Sequence, residues 1–182
     1  MCTPKALAAL AAVALALAFS TLPALAQTTG LGKPVSEADI SRWDITILPD
    51  GTGLPPGSGS PEQGAKIYAE KCAACHGEAG KGGVSPAYPA LVGGAPLTDG
   101  IDTLKTIANY YAYATTVFDY IRRGMPYNMP RSLDDHEVYA LTAYVLSLNK
   151  LIGANDVMDA KTLPQVKMPN RDNFILPYPD RI

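Results

Sequence analysis

Cysteine and histidine are both scarce in this chain of 182 residues, with three of the first and two of the second. A structural zinc site takes four such ligands, commonly as two separated pairs, and no second cysteine pair exists to complete one. Charge of one sign is also missing. The formal net charge is −2 and charged residues make up 18%, so no nucleic-acid or anionic-membrane partner is indicated. No stretch alternates apolar and polar residues as a half-buried strand does, which leaves an all-α core. No long apolar run follows the first 26 residues. No acidic and basic side chains gather into a catalytic constellation, since Asp134, Asp135, His136 and Glu137 form a helix-start cluster that the helix dipole explains. Glycine and proline, at 16 each, exceed ordinary usage and predict one small globular domain with much irregular chain.

The first segment is set apart from the fold. Lys5 gives a short positive start, "ALAALAAVALALAF" is an apolar run, Pro23 breaks it, and Ala24-Leu25-Ala26 offers a small-residue cleavage site. The run is short for a membrane span, which takes about 20 apolar residues. The expectation is a signal peptide over residues 1–26, a mature chain from about Gln27 with no membrane anchor, and a periplasmic location. An uncleaved anchor is the alternative.

With Cys2 removed, Cys72 and Cys75 remain, in "EKCAACHGEAGKGG". In an oxidising compartment two thiols at this spacing either pair or are occupied. A thioredoxin-like site belongs in a β-α-β pattern, and none surrounds this one. Cys72-Ala73-Ala74-Cys75-His76 is the C-x-x-C-H attachment signature of c-type haem: each thiol adds to a vinyl group, and the adjacent histidine reaches the iron from one face. One such motif predicts one haem c.

The flanking pattern supplies helices for it. Ser60, Pro61 and Gln63 open a helix with a capping box. Gly64, Ile67, Tyr68 and Cys72 then share one face. "GEAGKGG" forces a loop after the motif. "DTLKTIANYYAY" and "TVFDYIRRG" read as further helices, the second ending at Gly124. In "SLDDHEVYALTAYVLSLN", Ser132 and Asp135 form a capping box, and Val138, Leu141, Tyr144, Val145 and Leu148 make an apolar stripe. Gly64 and Tyr68 would let this last helix cross closely over the first. The boundaries expected are an arm over 27–59, a core domain over 60–149 and a tail over 150–182. "LPDGTGLPPGSGSP" cannot be helical, while Trp43, Ile45 and Ile47 are placed to grip the domain or a partner. The tail is expected to run extended over the surface. Disorder is the alternative for both arms.

An N-terminal helix, C-x-x-C-H, a later Met-Pro loop and a terminal amphipathic helix, from about Ser60 to Asn149, resemble a class I c-type cytochrome. The flanks "SRWDITILPDGTGLPPGSGS", "YIRRGMPYNMPRSLDDHEVYALTAYVLSLN" and "LPQVKMPNRDNF" extend the likeness over almost all the mature chain. They are similar to the cytochrome subunits of periplasmic sulfite and sulfur dehydrogenases of the Sox and Sor types. Some of that family carry two haems, whereas this chain has one motif. The resemblance implies a partner with a molybdopterin subunit that donates electrons, and a downstream cytochrome c or oxidase that accepts them.

Iron ligands follow in the same terms. His76 is the proximal candidate, and its second ring nitrogen needs a carbonyl to donate to. The family uses a proline carbonyl in a P-x-L loop, which Pro89-Ala90-Leu91 matches. Pro86 is the fallback, and Pro89 as a plain turn residue is the other view. On the distal side a soft thioether favours ferrous iron. Met125, after Gly124 and before Pro126, stands at the family's position. Met129 is the alternative, Met158 and Met168 lie farther off, and His136 falls on the polar side of its helix. Arg122 and Arg123 are candidates for haem propionates or an acidic partner, although paired arginines are commonly just solvated. With both axial positions filled the chain is an electron carrier and not an enzyme by itself. The alternative is a haem enzyme with an open distal site acting on peroxide or a sulfur compound.

Overall fold

A computed structural model describes residues 32–82, 88–97 and 103–174. By internal contacts the chain divides into two units, 1–43 and 44–182. In the first, α1 (Glu37–Trp43) has no buried residue, and Trp43 is 82% exposed. The expected signal peptide lies outside the described residues.

The second unit holds α2 (Pro61–Lys71), α3 (Ala73–His76), α4 (Ile107–Tyr110), α5 (Ala114–Gly124) and α6 (Asp135–Leu148). Among the described residues the single sheet is a two-residue antiparallel ladder, β1 (Ser58–Gly59) on β2 (Met158–Asp159). The fold is therefore all-α in its core, as expected.

Local signals set the helix starts. Ser60 Oγ accepts from Gln63 N (3.3 Å), and Gln63 Oε1 accepts from Ser60 N (2.9 Å), the reciprocal box that satisfies two orphan amides of α2. For α6 the box sits two residues later than the sequence pattern proposed. Asp134, not Ser132, is the cap: its Oδ1 accepts from Glu137 N at 2.8 Å, and Glu137 returns the bond to Asp134 N at 3.1 Å. A carboxylate is the stronger acceptor, and this placement lets Leu133 and Val138, before and four residues after the cap, both join the core.

The expected helix from Asp102 is a single turn instead. α4 stops at Tyr110 and Tyr111 is extended, with φ −73° and ψ 135°. Tyr111 then packs against the core, a position a continued helix would not give it. Residues 101–102 lie outside the described set. α5 ends at Gly124, as expected.

α6 is the centre of the unit. Its stripe faces α2, where a Cβ on Gly64 would lie 2.0 Å from the Ala140 carbonyl oxygen and 2.7 Å from Tyr144 Cβ. Only hydrogen fits there, so the two backbones touch. Tyr68 and Tyr144 pack ring to ring beside this point, centroids 5.2 Å apart. The other side of α6 is also buried: Tyr139, Ala143 and Leu146 are fully covered, and Phe118 of α5 lies 4.4 Å from Tyr139 between ring centroids.

The flanking segments provide that second cover. Ile47 and Leu54 of the arm pack on the core, and Tyr139 Oη donates to the Pro55 carbonyl at 2.9 Å. The tail has the irregular backbone expected, with short 3-10 turns at Leu163–Gln165 and Arg171–Asn173. It does more than cross the surface, because Met158, Leu163, Val166 and Met168 are all buried in the core cluster. Residues 60–149 thus close their core only with material from both flanks.

Candidate functional site

The kink between α2 and α3 presents the first of the two cysteines. Cys72 is the C-cap of α2 and the N-cap of α3, with φ −127° and ψ −35°. Its amide still bonds to Tyr68 O (2.9 Å), and its carbonyl accepts from Cys75 N and His76 N at 3.1 and 3.0 Å. One short turn therefore carries both cysteines and the histidine. Neither sulfur is bonded to the other. Cys75 is exposed and Cys72 half-buried, and burial pushes the Cys72 thiol up to about 11.

The loop after the motif is pinned beneath it. Gly77, at φ 73°, lies against the Gly82 carbonyl, which a Cβ would approach to 2.1 Å. Gly82 N donates to His76 O (2.9 Å), and Tyr68 Oη donates to Gly77 O (3.0 Å). Burial raises the Tyr68 phenol to about 12.

His76 is half-buried, and its Nδ1 lies 3.1 Å from the Pro89 carbonyl oxygen. A proton on Nδ1 satisfies that carbonyl and leaves Nε2 as a free lone-pair donor, the usual arrangement of a metal-ligating histidine. Pro86 lies outside the described residues.

The methionines separate by burial. Met158 and Met168 are 4% and 3% exposed within the apolar core, and Met129 is 56% exposed. Met125 is half-buried as the C-cap of α5, with its amide on Ile121 O at 3.1 Å, and a cis peptide joins it to Pro126. His136 is exposed, with Nδ1 3.0 Å from the Ser58 carbonyl oxygen and 3.2 Å from its amide, so it ties β1 to α6. Arg122 Nε meets Asp135 Oδ1 at 3.1 Å, and Arg123 binds Asp119 Oδ1 (2.8 Å) and the Ile45 carbonyl (2.8 Å). Both guanidinium groups have partners inside the protein.

Three residues the sequence reading passed over organise the loop that carries Pro89. Asn149 donates to Leu91 O (3.1 Å) and Val145 O (2.9 Å). Asn109 donates to Ala95 O and Leu104 O, both at 2.8 Å. Thr106 Oγ1 donates to Gly93 O. The T-x-x-N spacing of Thr106 and Asn109 was a readable capping signal. Asn149, just past a helix end, gave no signal that its amide reaches across 58 residues.

Two thiols and an imidazole on one turn, with the ring's other nitrogen bonded to a carbonyl, fit a covalently held haem. Among the described residues no three His, Cys, Asp or Glu side chains cluster as a separate metal site. No helix among them is long and apolar enough to cross a membrane.

Residues 61–149 match the cytochrome c family model. A solved structure, the sulfane dehydrogenase SoxCD from Paracoccus pantotrophus, contains a chain that is 38% identical. The match has a TM-score of 0.72 and covers 85% of this chain and 73% of that one. A thiosulfate dehydrogenase from Psychrobacter arcticus is 31% identical over 102 residues. That match covers 54% of this chain and 29% of the relative, so the chain spans under a third of that protein's length. Together with the attachment turn, these likenesses establish that the chain belongs to the cytochrome c family, as an electron carrier with covalently bound haem c that is related to sulfur dehydrogenase subunits.

Proposed function

We propose that this chain is the haem-bearing subunit of a periplasmic sulfur-compound dehydrogenase, taking single electrons from a molybdopterin subunit and passing them to another cytochrome or an oxidase. The observation that carries the reading is the extent of the likeness to SoxCD. It covers 85% of the chain, whereas the general family match stops at residues 61 and 149. Flanks shared with one particular complex are what a dedicated subunit would keep.

The chain's own residues divide the work. Cys72 and Cys75 fasten the haem through thioethers, and His76 Nε2 binds the iron with Nδ1–H held by Pro89 O. Met125 supplies the distal sulfur, being the half-buried methionine when Met158 and Met168 belong to the core and Met129 faces solvent. When bound, the haem supplies a one-electron couple. The leader is removed near Gln27 on export.

The test uses tagged holoprotein recovered from the periplasm. A molybdopterin protein should copurify, and that protein with sulfite or thiosulfate should reduce the haem under anaerobic conditions. Haem that dithionite reduces, but that no molybdopterin protein with either substrate reduces, would overturn the assignment. The likeness to a thiosulfate dehydrogenase favours a second reading, an enzyme that meets its sulfur substrate at an open iron site. Rapid binding of cyanide or carbon monoxide by the unaltered protein would select that reading.

A further inference from the structure

The loop from Pro89 to Ala95 is held by side chains at alternate carbonyls. Leu91 O takes Asn149 Nδ2 (3.1 Å) and Ile107 N (3.3 Å). Gly93 O takes the Thr106 hydroxyl, and Ala95 O takes Asn109 Nδ2 at 2.8 Å. Leu91 N in turn donates to Gly80 O at 2.8 Å, tying the loop to the segment just after the attachment turn. The donors come from two distant places, the end of α6 and the start of α4. Thr106 and Asn109 are 3% and 8% exposed. Asn109 is bonded on both sides of its amide: its N–H groups go to Ala95 O and Leu104 O, both at 2.8 Å, while its Oδ1 accepts from Thr106 N at 2.7 Å. A cluster this complete has one arrangement and little freedom to drift.

Pro89 lies two residues before the pinned Leu91. Its carbonyl is the acceptor facing His76 Nδ1 at 3.1 Å. We propose that Asn149, with Thr106 and Asn109, forms a clamp that holds the Pro89 carbonyl on His76 and so sets the reduction potential from the proximal side. This rests on His76 as the iron ligand. Asn149 is a positioning residue, acting through the Leu91 peptide and not by touching the haem. A firm Nδ1–H···O bond makes the imidazole a stronger electron donor, which favours ferric iron. Loosening the loop weakens that bond, so the ferrous state gains and the potential rises. The amide of Asn149 thereby links the end of the central helix to the electronics of the iron.

The experiment compares the holoprotein with Asn149→Ala. Solvent exchange of the His76 Nδ1–H is followed by nitrogen-edited NMR on reduced protein, and the potential is measured by redox titration. Exchange should accelerate at least about ten-fold. The ratio of reduced to oxidised protein at a fixed potential should rise by about five-fold, the net worth of one hydrogen bond. Asn173→Ala, which removes a comparable amide bond to Asn170 in the tail, should change neither. If Asn149→Ala does not fold, Thr106→Val replaces it, with Thr106→Ser restoring both readouts because the hydroxyl remains. A folded variant with lowered Tm but unchanged exchange and potential would overturn the clamp and leave a purely structural role. An unaltered holoprotein showing no haem-shifted His76 Nδ1–H resonance would overturn the ligation itself, and the clamp with it.

Discussion

Gly64→Ala is expected to loosen the protein at the crossing of its two principal helices. An added Cβ would stand 2.0 Å from Ala140 O, 2.6 Å from Ala140 C and 2.7 Å from Tyr144 Cβ, where ordinary contact begins at 3.4 Å. Two of the three atoms are backbone, so no rotamer change relieves the overlap. α2 must back away from α6 by about 1.4 Å at that point, opening gaps along the Tyr68–Tyr144 contact. Overpacking of this kind costs about 3 kcal/mol. Replacing glycine by alanine inside a helix returns about 1 kcal/mol of propensity. The net loss of about 2 kcal/mol should lower Tm by about 5–10 °C for a unit of this size. Guanidinium unfolding of the holoprotein, followed by far-ultraviolet circular dichroism, measures it. Gly124→Ala is the control, since nothing lies within 4 Å of a Cβ there, and it should be neutral or slightly stabilising. Equal stability of the two variants would refute the reasoning, because only Gly64 stands at a crossing where an added Cβ meets backbone atoms.

Met125→Ala should abolish the far-red charge-transfer band of the oxidised protein, lower the potential and admit cyanide, while Met129→Ala, at a 56% exposed position, should leave all three unchanged. The opposite pattern would move the distal ligand to Met129. Cys72→Ala combined with Cys75→Ala should release haem into acid–organic extraction, which the unaltered protein resists. Stability should fall as pH rises from 10 towards 12, because burial raises Tyr68 and Tyr139 to about 12 in the folded protein against about 10 unfolded. That contribution is complete below pH 10 and lost through the folded value, so in urea titrations Tyr68→Phe should show a shallower alkaline decline. The same variant should cost about 1 kcal/mol at neutral pH for the lost bond to Gly77 O.

Much of this was legible because it is local. C-x-x-C-H, the Ser60–Gln63 box, the end of α5 at Gly124 and the small-residue crossing at Gly64 each depend on a few neighbouring residues. The α6 stripe was read on one face, since Tyr139, Ala143 and Leu146 show their purpose only once the arm and tail are laid against them. Met158, Leu163, Val166 and Met168 have no regular period, so nothing in their spacing distinguished core from surface. The α4 region misled for a related reason. Its residues favour a helix, but Asn109 spends its amide on Ala95 and Leu104, and Tyr111 turns inward. Asn149 stayed hidden because its bond to Leu91 is decided by tertiary geometry alone.

The ladder of β1 on β2 bears on how the molecule is made. Ser58 and Gly59 find Asp159 and Met158 roughly 100 residues later in the chain, and closing so large a loop costs about 4 kcal/mol of chain entropy. The pairing should therefore form late, after α2 and α6 have met. Synthesis proceeds from the N-terminus, so Cys72 and Cys75 exist before the segment that seals the far side of α6. The thiols thus have an interval in an open chain in which to react. A version ending at Asn149 should accept haem yet refold to a looser state, with faster amide exchange in α6 than in the full-length holoprotein.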